Sequence, residues 1–146
     1  MKIFIDTSSL FKLYHREADT EIIENIFSRL KVTNIYLSEI TKIEFASTIW
    51  KKVRTKEITE LDAKTTLDLF ETDCIKYTFI STNSIILEQA RVLTSKYGIN
   101  GLRTLDSIQL SSAITLKSAI DLYITSDKLL KTFFETEGLA TSLPSN

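Results

Sequence analysis

Four short apolar runs, separated by stretches with helical spacing, constrain this chain more than any other feature. The runs lie at residues 2–5, 35–37, 75–80 and 122–124, and two of them run into an acid: Asp6 after the first, Asp127 three residues past the last. Runs of that length, rich in Ile, Tyr and Phe, are read as buried strands. Between them lie helical patterns. Ser8 to Tyr14 puts Leu10, Leu13 and Tyr14 on one face. Asp19 or Thr20 is expected to cap a helix with Ile22, Ile23, Ile26, Phe27 and Leu30. Ser38 is expected to cap a helix carrying Ile40, Ile43, Ala46, Trp50 and Val53. Thr59 is expected to cap one with Ala63, Leu67, Phe70 and Cys74. Ile86, Ala90, Leu93 and Tyr97 mark a helix that Gly98 can end, and Thr104 opens another through Leu105, Ile108 and Leu116. Leu129, Leu130, Phe133 and Phe134 form a last amphipathic turn before Gly138, with Leu139 to Thr141 as a further edge strand. Strands alternating with helices imply βαβ units, a parallel sheet of four to five strands and helices on both faces.

Composition narrows the class. The chain has 146 residues, which at roughly 100–200 residues per domain predicts a single domain over 1–146. Three Gly and one Pro are too few for a turn-rich all-β fold, and one Cys excludes a disulfide framework or a Cys-based zinc site. No run of 18 apolar residues is present. The first strand meets Asp6 too early for a signal peptide, so a soluble, cytoplasmic protein is expected. The net charge of −1 gives no overall pull toward nucleic acid, so any such contact must come from a local patch.

Ligands of open parallel sheets bind outside the carboxyl ends of the strands, at the point where strand order reverses. Asp6 and Asp127 stand at such ends. Glu44 lies beside the apolar stripe of its helix, where a charge needs a partner. Asp106 sits in the first turn of its helix, which points back to the same edge if the connection is short. Each acid alone has a plain alternative: a turn former, a helix-dipole acid, a half-exposed helix acid, an N-cap. Together they form four carboxylates that repel unless a cation neutralises them. Oxygen-only ligands suit Mg²⁺ or Mn²⁺ better than Zn²⁺.

The ordered set Ile-Asp-Thr-Ser-Ser (5–9), Glu44, Leu-Asp-Ser-Ile-Gln-Leu (105–110) and Ile-Thr-Ser-Asp-Lys (124–128) resembles a PIN domain, and more narrowly the VapC-like toxins of type II toxin–antitoxin pairs. The resemblance covers nearly the whole chain. It implies a three-layer, Rossmann-like α/β domain and metal-dependent hydrolysis of RNA phosphodiester bonds. It also implies Asp6, Glu44, Asp106 and Asp127 as catalytic, metal-holding acids around Mg²⁺ or Mn²⁺, with Ser8, Thr125 and Ser126 as supporting hydroxyls. Gln109 and Ser112 depart from the His and Ala often seen in the Asp106 helix. A homodimer and a VapB-like antitoxin, whose tail would occupy the acidic site, are implied as partners.

Lys51, Lys52, Arg54 and Lys56 form a basic cluster that would hold RNA, or else merely suits a helix C-terminus. Arg103 either contacts phosphate or pairs with a site carboxylate. His15 is read as a surface residue, Trp50 as core or dimer interface, and Cys74 as a small buried hydrophobe. Two other strand-end-acid enzymes fit poorly. A haloacid-dehalogenase-type phosphohydrolase needs an acid where Ser8 stands, and a response-regulator receiver needs one after the third strand. No Gly-rich phosphate loop is present. The remaining alternatives are a PIN-type RNA-processing nuclease without an antitoxin and a non-catalytic PIN-type binding module.

Overall fold

The computed structural model describes residues 1–143. It contains four strands, β1 (Lys2–Ile5), β2 (Asn34–Ser38), β3 (Tyr77–Ile80) and β4 (Leu122–Ile124). Seven α-helices connect them: α1 (Thr7–Phe11), α2 (Thr20–Arg29), α3 (Thr41–Arg54), α4 (Glu60–Asp73), α5 (Ser84–Tyr97), α6 (Thr104–Thr115) and α7 (Lys128–Thr136). The sheet order is β3-β2-β1-β4 and every pairing is parallel. Strand order therefore reverses between β1 and β4. The loops leaving these two strands define the crevice where chemistry is expected.

Successive side chains on a strand face opposite sides of the sheet, and this alternation builds three layers. Ile3 and Ile5 of β1, with Leu122 and Ile124 of β4, join Leu10, Phe45, Ile49 and Phe70 on one face. Phe4 and Tyr123 point the other way, into Leu93, Leu110, Leu130, Phe133 and Phe134. Covering both faces explains why these strands read as continuous apolar runs rather than alternating ones. Phe45 anchors α3, stacking on Phe70 at a centroid distance of 4.1 Å.

Several boundaries differ from the sequence expectation. Ser38 does not cap α3. It pairs with Ile80 in the β2–β3 ladder and is buried against Ser112 (Oγ–Oγ 3.1 Å), so the helix starts three residues later without a side-chain cap. Thr104 is the first residue of α6, and Arg103 occupies the cap position without a side-chain bond. Asp19 precedes α2 in a left-handed conformation and makes no cap bond. α1 ends at Phe11, short of Tyr14. Cys74–Lys76 forms a 3₁₀ turn, so β3 is shorter than residues 75–80. Gly98 keeps helical geometry. The left-handed residue that turns the chain is Gly101, at φ 98°. Residues 139–141 form no strand, although the Tyr123 N–H donates to the Ala140 carbonyl at 2.8 Å. Two expected caps do form: Thr59 accepts from the Asp62 N–H at 3.1 Å and Asp127 from the Leu130 N–H at 2.8 Å.

Two helices bury faces other than those expected. In α3 the inward stripe is Thr41, Phe45 and Ile49, and Ile43 is 73% exposed. In α6 the inward residues include Ser107, Gln109, Ser111 and Ser112, while Leu105 faces out. The serines let α6 lie against its neighbour: Ser111 Oγ donates to the Ile86 carbonyl of α5 at 2.8 Å. His15 is only partly buried and packs on the Phe11 ring; Trp50 and Cys74 are partly buried against the first core layer. Among the described residues, no helix is long and apolar enough to cross a membrane.

Candidate functional site

Asp6 leaves β1 and caps α1, accepting from the Ser9 N–H at 3.1 Å. The Ser8 hydroxyl donates within 2.9 Å of both carboxylate oxygens, and Thr125 Oγ1 donates to Oδ2 at 2.7 Å. The neighbouring loop is stitched to the same place. The Asp6 N–H donates to the Ile124 carbonyl, the Ser126 N–H to Ser8 Oγ, and Ser126 Oγ lies 2.8 Å from Ser9 Oγ. Asp6 is buried, and burial pushes its carboxyl up from 3.8 to about 6. The Thr125, Ser8 and Ser9 hydrogen bonds oppose that shift, and the Glu44 charge adds to it.

Glu44 sits in the first turn of α3, half-buried. Its Oε1 accepts from Thr7 Oγ1 at 2.9 Å and from Gln109 Nε2 at 2.8 Å. Burial raises its pKa, these two hydrogen bonds lower it, and the Asp106 charge raises it again. Asp106, in the first turn of α6, is also pushed up by burial and then by the Asp127 charge, while Arg103 pulls the other way. Arg103 Nε stands 3.7 Å from Asp106 Oδ2 and is itself largely exposed.

The four acids are thus coupled in sequence, Asp6 to Glu44 to Asp106 to Asp127, across the crevice between the ends of β1 and β4. A cleft of about 400 Å³ opens beside them, lined in part by Thr7, Ser8, Glu44, Ser126 and Asp127. Among the described residues, no three acidic, His or Cys side chains already form a closed metal-ligand group. The donor set is nonetheless all oxygen, and carboxylates destabilised by burial and by one another favour a cation. Such a set fits a hard ion that takes one or two carboxylates and keeps several waters, as Mg²⁺ does.

The basic cluster behaves unevenly. Lys52 Nζ is held between Glu17 (3.0 Å) and Glu57 (2.8 Å), with only 17% of its side chain exposed. Lys51, Arg54 and Lys56 are exposed to solvent. The sequence reading missed Thr7, Thr41 and Gln109, which surround Glu44. The signal was present: Thr41 lies three residues before Glu44 and Gln109 three after Asp106, on the helix faces those acids share.

A parallel sheet of this order with acids at its reversal point places the chain in a class, and comparison gives that class a name. The PIN domain family profile matches residues 3–133, and the chain belongs to that family. Its fold resembles one solved toxin and chains of two toxin–antitoxin structures. Mycobacterium tuberculosis VapC20, described as a sarcin-ricin loop cleaving toxin, aligns with TM-score 0.70 at 14% identity over 97% of this chain and 99% of that one. VapBC2 from Rickettsia felis, bound to a DNA fragment from their promoter, aligns with TM-score 0.64 at 14% identity over 99% and 100%. A toxin–antitoxin complex from Klebsiella pneumoniae aligns with TM-score 0.61 at 17% identity over 86% of both chains. No curated protein matches the sequence significantly.

Proposed function

We propose that this single-domain chain is a Mg²⁺- or Mn²⁺-dependent endoribonuclease, the toxin of a type II toxin–antitoxin pair. One observation carries the reading: four carboxylates, three of them raised by burial and by one another, line up across the reversal point of a PIN sheet. Asp6, Asp106 and Asp127 hold the cation, with Glu44 binding directly or through water. When bound, the cation supplies the charge that activates a water for in-line attack and stabilises the leaving oxygen.

The chain's own residues do the rest. Ser8 and Thr125 fix the Asp6 carboxylate by hydrogen bonds, and Ser126 ties the β4 loop to α1. Lys51, Arg54, Lys56 and Arg103 contact the RNA backbone. Lys52 is already engaged by two glutamates and contributes less. The solved neighbours include toxin–antitoxin complexes, which supports an antitoxin partner here. A trough of about 430 Å³ lined by Ile22, Ile26, Leu30 and Leu122 offers such a partner an apolar surface. The working form is a cytoplasmic homodimer, which light scattering of the purified protein tests.

The reading is tested by incubating tRNA and rRNA fragments with wild type and Asp6→Asn in Mg²⁺, Mn²⁺ or EDTA. Asn caps a helix about as well as Asp, so the variant keeps the α1 corner. Cleavage is expected from wild type only, and only with metal. Full activity in Asp6→Asn, or cleavage that persists in EDTA, would refute the assignment.

A further inference from the structure

We infer that Gln109 is a positioning residue: its side-chain amide, together with Thr7 and Thr41, clamps one oxygen of Glu44 and leaves the other free for the cation. The inference rests on the metal-dependent reading above. Three elements meet at this clamp, with Thr7 on α1, Thr41 and Glu44 on α3, and Gln109 on α6. Gln109, Thr7 and Thr41 are all buried, and Glu44 lines the cleft.

With Glu44 ionised, the hydrogen-bond geometry has one consistent assignment. Gln109 Nε2 lies 2.8 Å from Glu44 Oε1, 3.1 Å from Thr41 Oγ1 and 3.1 Å from Thr7 Oγ1. Its shortest contact is to the carboxylate, as expected for a charge-assisted bond. One amide hydrogen goes to Glu44 and the other to the threonine hydroxyls. Thr7 Oγ1 donates its own proton to Glu44 Oε1 at 2.9 Å. Turning the amide over would set a carbonyl oxygen against a carboxylate, two acceptors with no proton between them.

Oε1 of Glu44 therefore receives two donors, while among the described residues Oε2 accepts no hydrogen bond. A carboxylate held by one oxygen presents the other in a fixed direction.

Packing alone gives no reason for this amide. Gln109 Oε1 is buried and has no partner, a costly state that an apolar side chain of the same size would avoid. The amide suits the site, not the core. Partners that orient a metal-binding carboxylate typically carry a 10–100-fold effect on metal affinity.

The test measures Mn²⁺ binding to the full chain by titration calorimetry. It compares wild type, Gln109→Met, Thr7→Val, Glu44→Gln and the Gln109→Met/Glu44→Gln double variant. Melting in EDTA controls for folding. Gln109→Met should weaken Mn²⁺ binding about 10–100-fold without lowering the melting temperature in EDTA, and Thr7→Val should act in the same direction. On the Glu44→Gln background, Gln109→Met should add nothing, because its effect passes through Glu44.

Affinity within twofold of wild type in Gln109→Met and Thr7→Val overturns the inference, as does a loss that adds fully to that of Glu44→Gln. If Gln109→Met fails to fold, Thr7→Val decides alone. A wild type that binds no Mn²⁺ defeats both this inference and the metal-dependent reading. A wild type that binds Mn²⁺ but cuts no RNA defeats only the nuclease, and the binding series still judges Gln109.

Discussion

The acidic centre has a pinned half and an open half. Asp6 and Glu44 are each held by side-chain hydrogen bonds from two residues, Ser8 and Thr125 for Asp6 and Thr7 and Gln109 for Glu44. Among the described residues Asp106 has only a distant, exposed arginine, and Asp127 is fixed by the backbone of its own helix. The difference follows from the layers. Glu44 sits where α1, α3 and α6 meet, and Asp6 sits between α1 and the β4 loop, so hydroxyls and an amide are within reach. The open pair sits at helix starts, half-buried but with few side-chain donors at hand. The pinned half fixes its carboxylates, and under the proposed function the open half would leave room for an ion and a phosphate.

The largest way to break the contrast is to loosen α3. Phe45 is fully buried, stacked on Phe70 and adjacent to Glu44. Phe45→Ala should cost about 3–5 kcal/mol, read by urea denaturation, and should release Glu44 with the helix. A loss below about 1 kcal/mol would mean that other contacts hold α3.

Titrating the pinned half gives the next effect. Asp6 ordinarily ionises near 3.8 and here near 6. Between those values the native chain keeps a proton that the unfolded chain has released. Its contribution to stability therefore falls as pH rises through that window, reaching a deficit on the order of 3 kcal/mol by pH 7. Glu44 and Asp106 are raised as well and act in the same direction. In EDTA, Asp6→Asn should gain on wild type in melting temperature between pH 4 and pH 7. Saturating Mn²⁺ should restore wild type, by about 2.7 kcal/mol at a hundred times the Kd. A pH-independent difference between the two proteins would show that burial does not raise Asp6.

The smallest effect sharpens the open half. Arg103→Ala removes an exposed pair at 3.7 Å and should change stability by about 0.5 kcal/mol or less. If Arg103 contacts RNA, the same variant lowers the salt dependence of RNA binding, measured by fluorescence anisotropy, while stability stays put.

The strands and the strand-end acids were legible because β1 and β4 are buried on both faces and end in a change of chemistry, Ile5 to Asp6 and Ile124 to Thr125. Helix faces were harder. Ile43 and Leu105 looked like core and lie outside, because α3 is oriented by Phe45 and α6 packs through serines. Those choices depend on neighbours distant in sequence, which periodicity does not carry. The same dependence hid the clamp on Glu44, whose members are up to 102 residues apart.

Asp6 and Asp127 both cap the N-termini of helices, so each serves folding whether or not the chain cuts anything. A descendant that abandoned catalysis would keep them as corner posts, and its sequence would still look armed. Among the described residues Asp106 has no such second job beside its proposed one, and its burial beside Asp127 is a standing liability. In a lineage drifting away from hydrolysis, Asp106 is the acid that should erode first, which makes it the better witness of whether a relative still works.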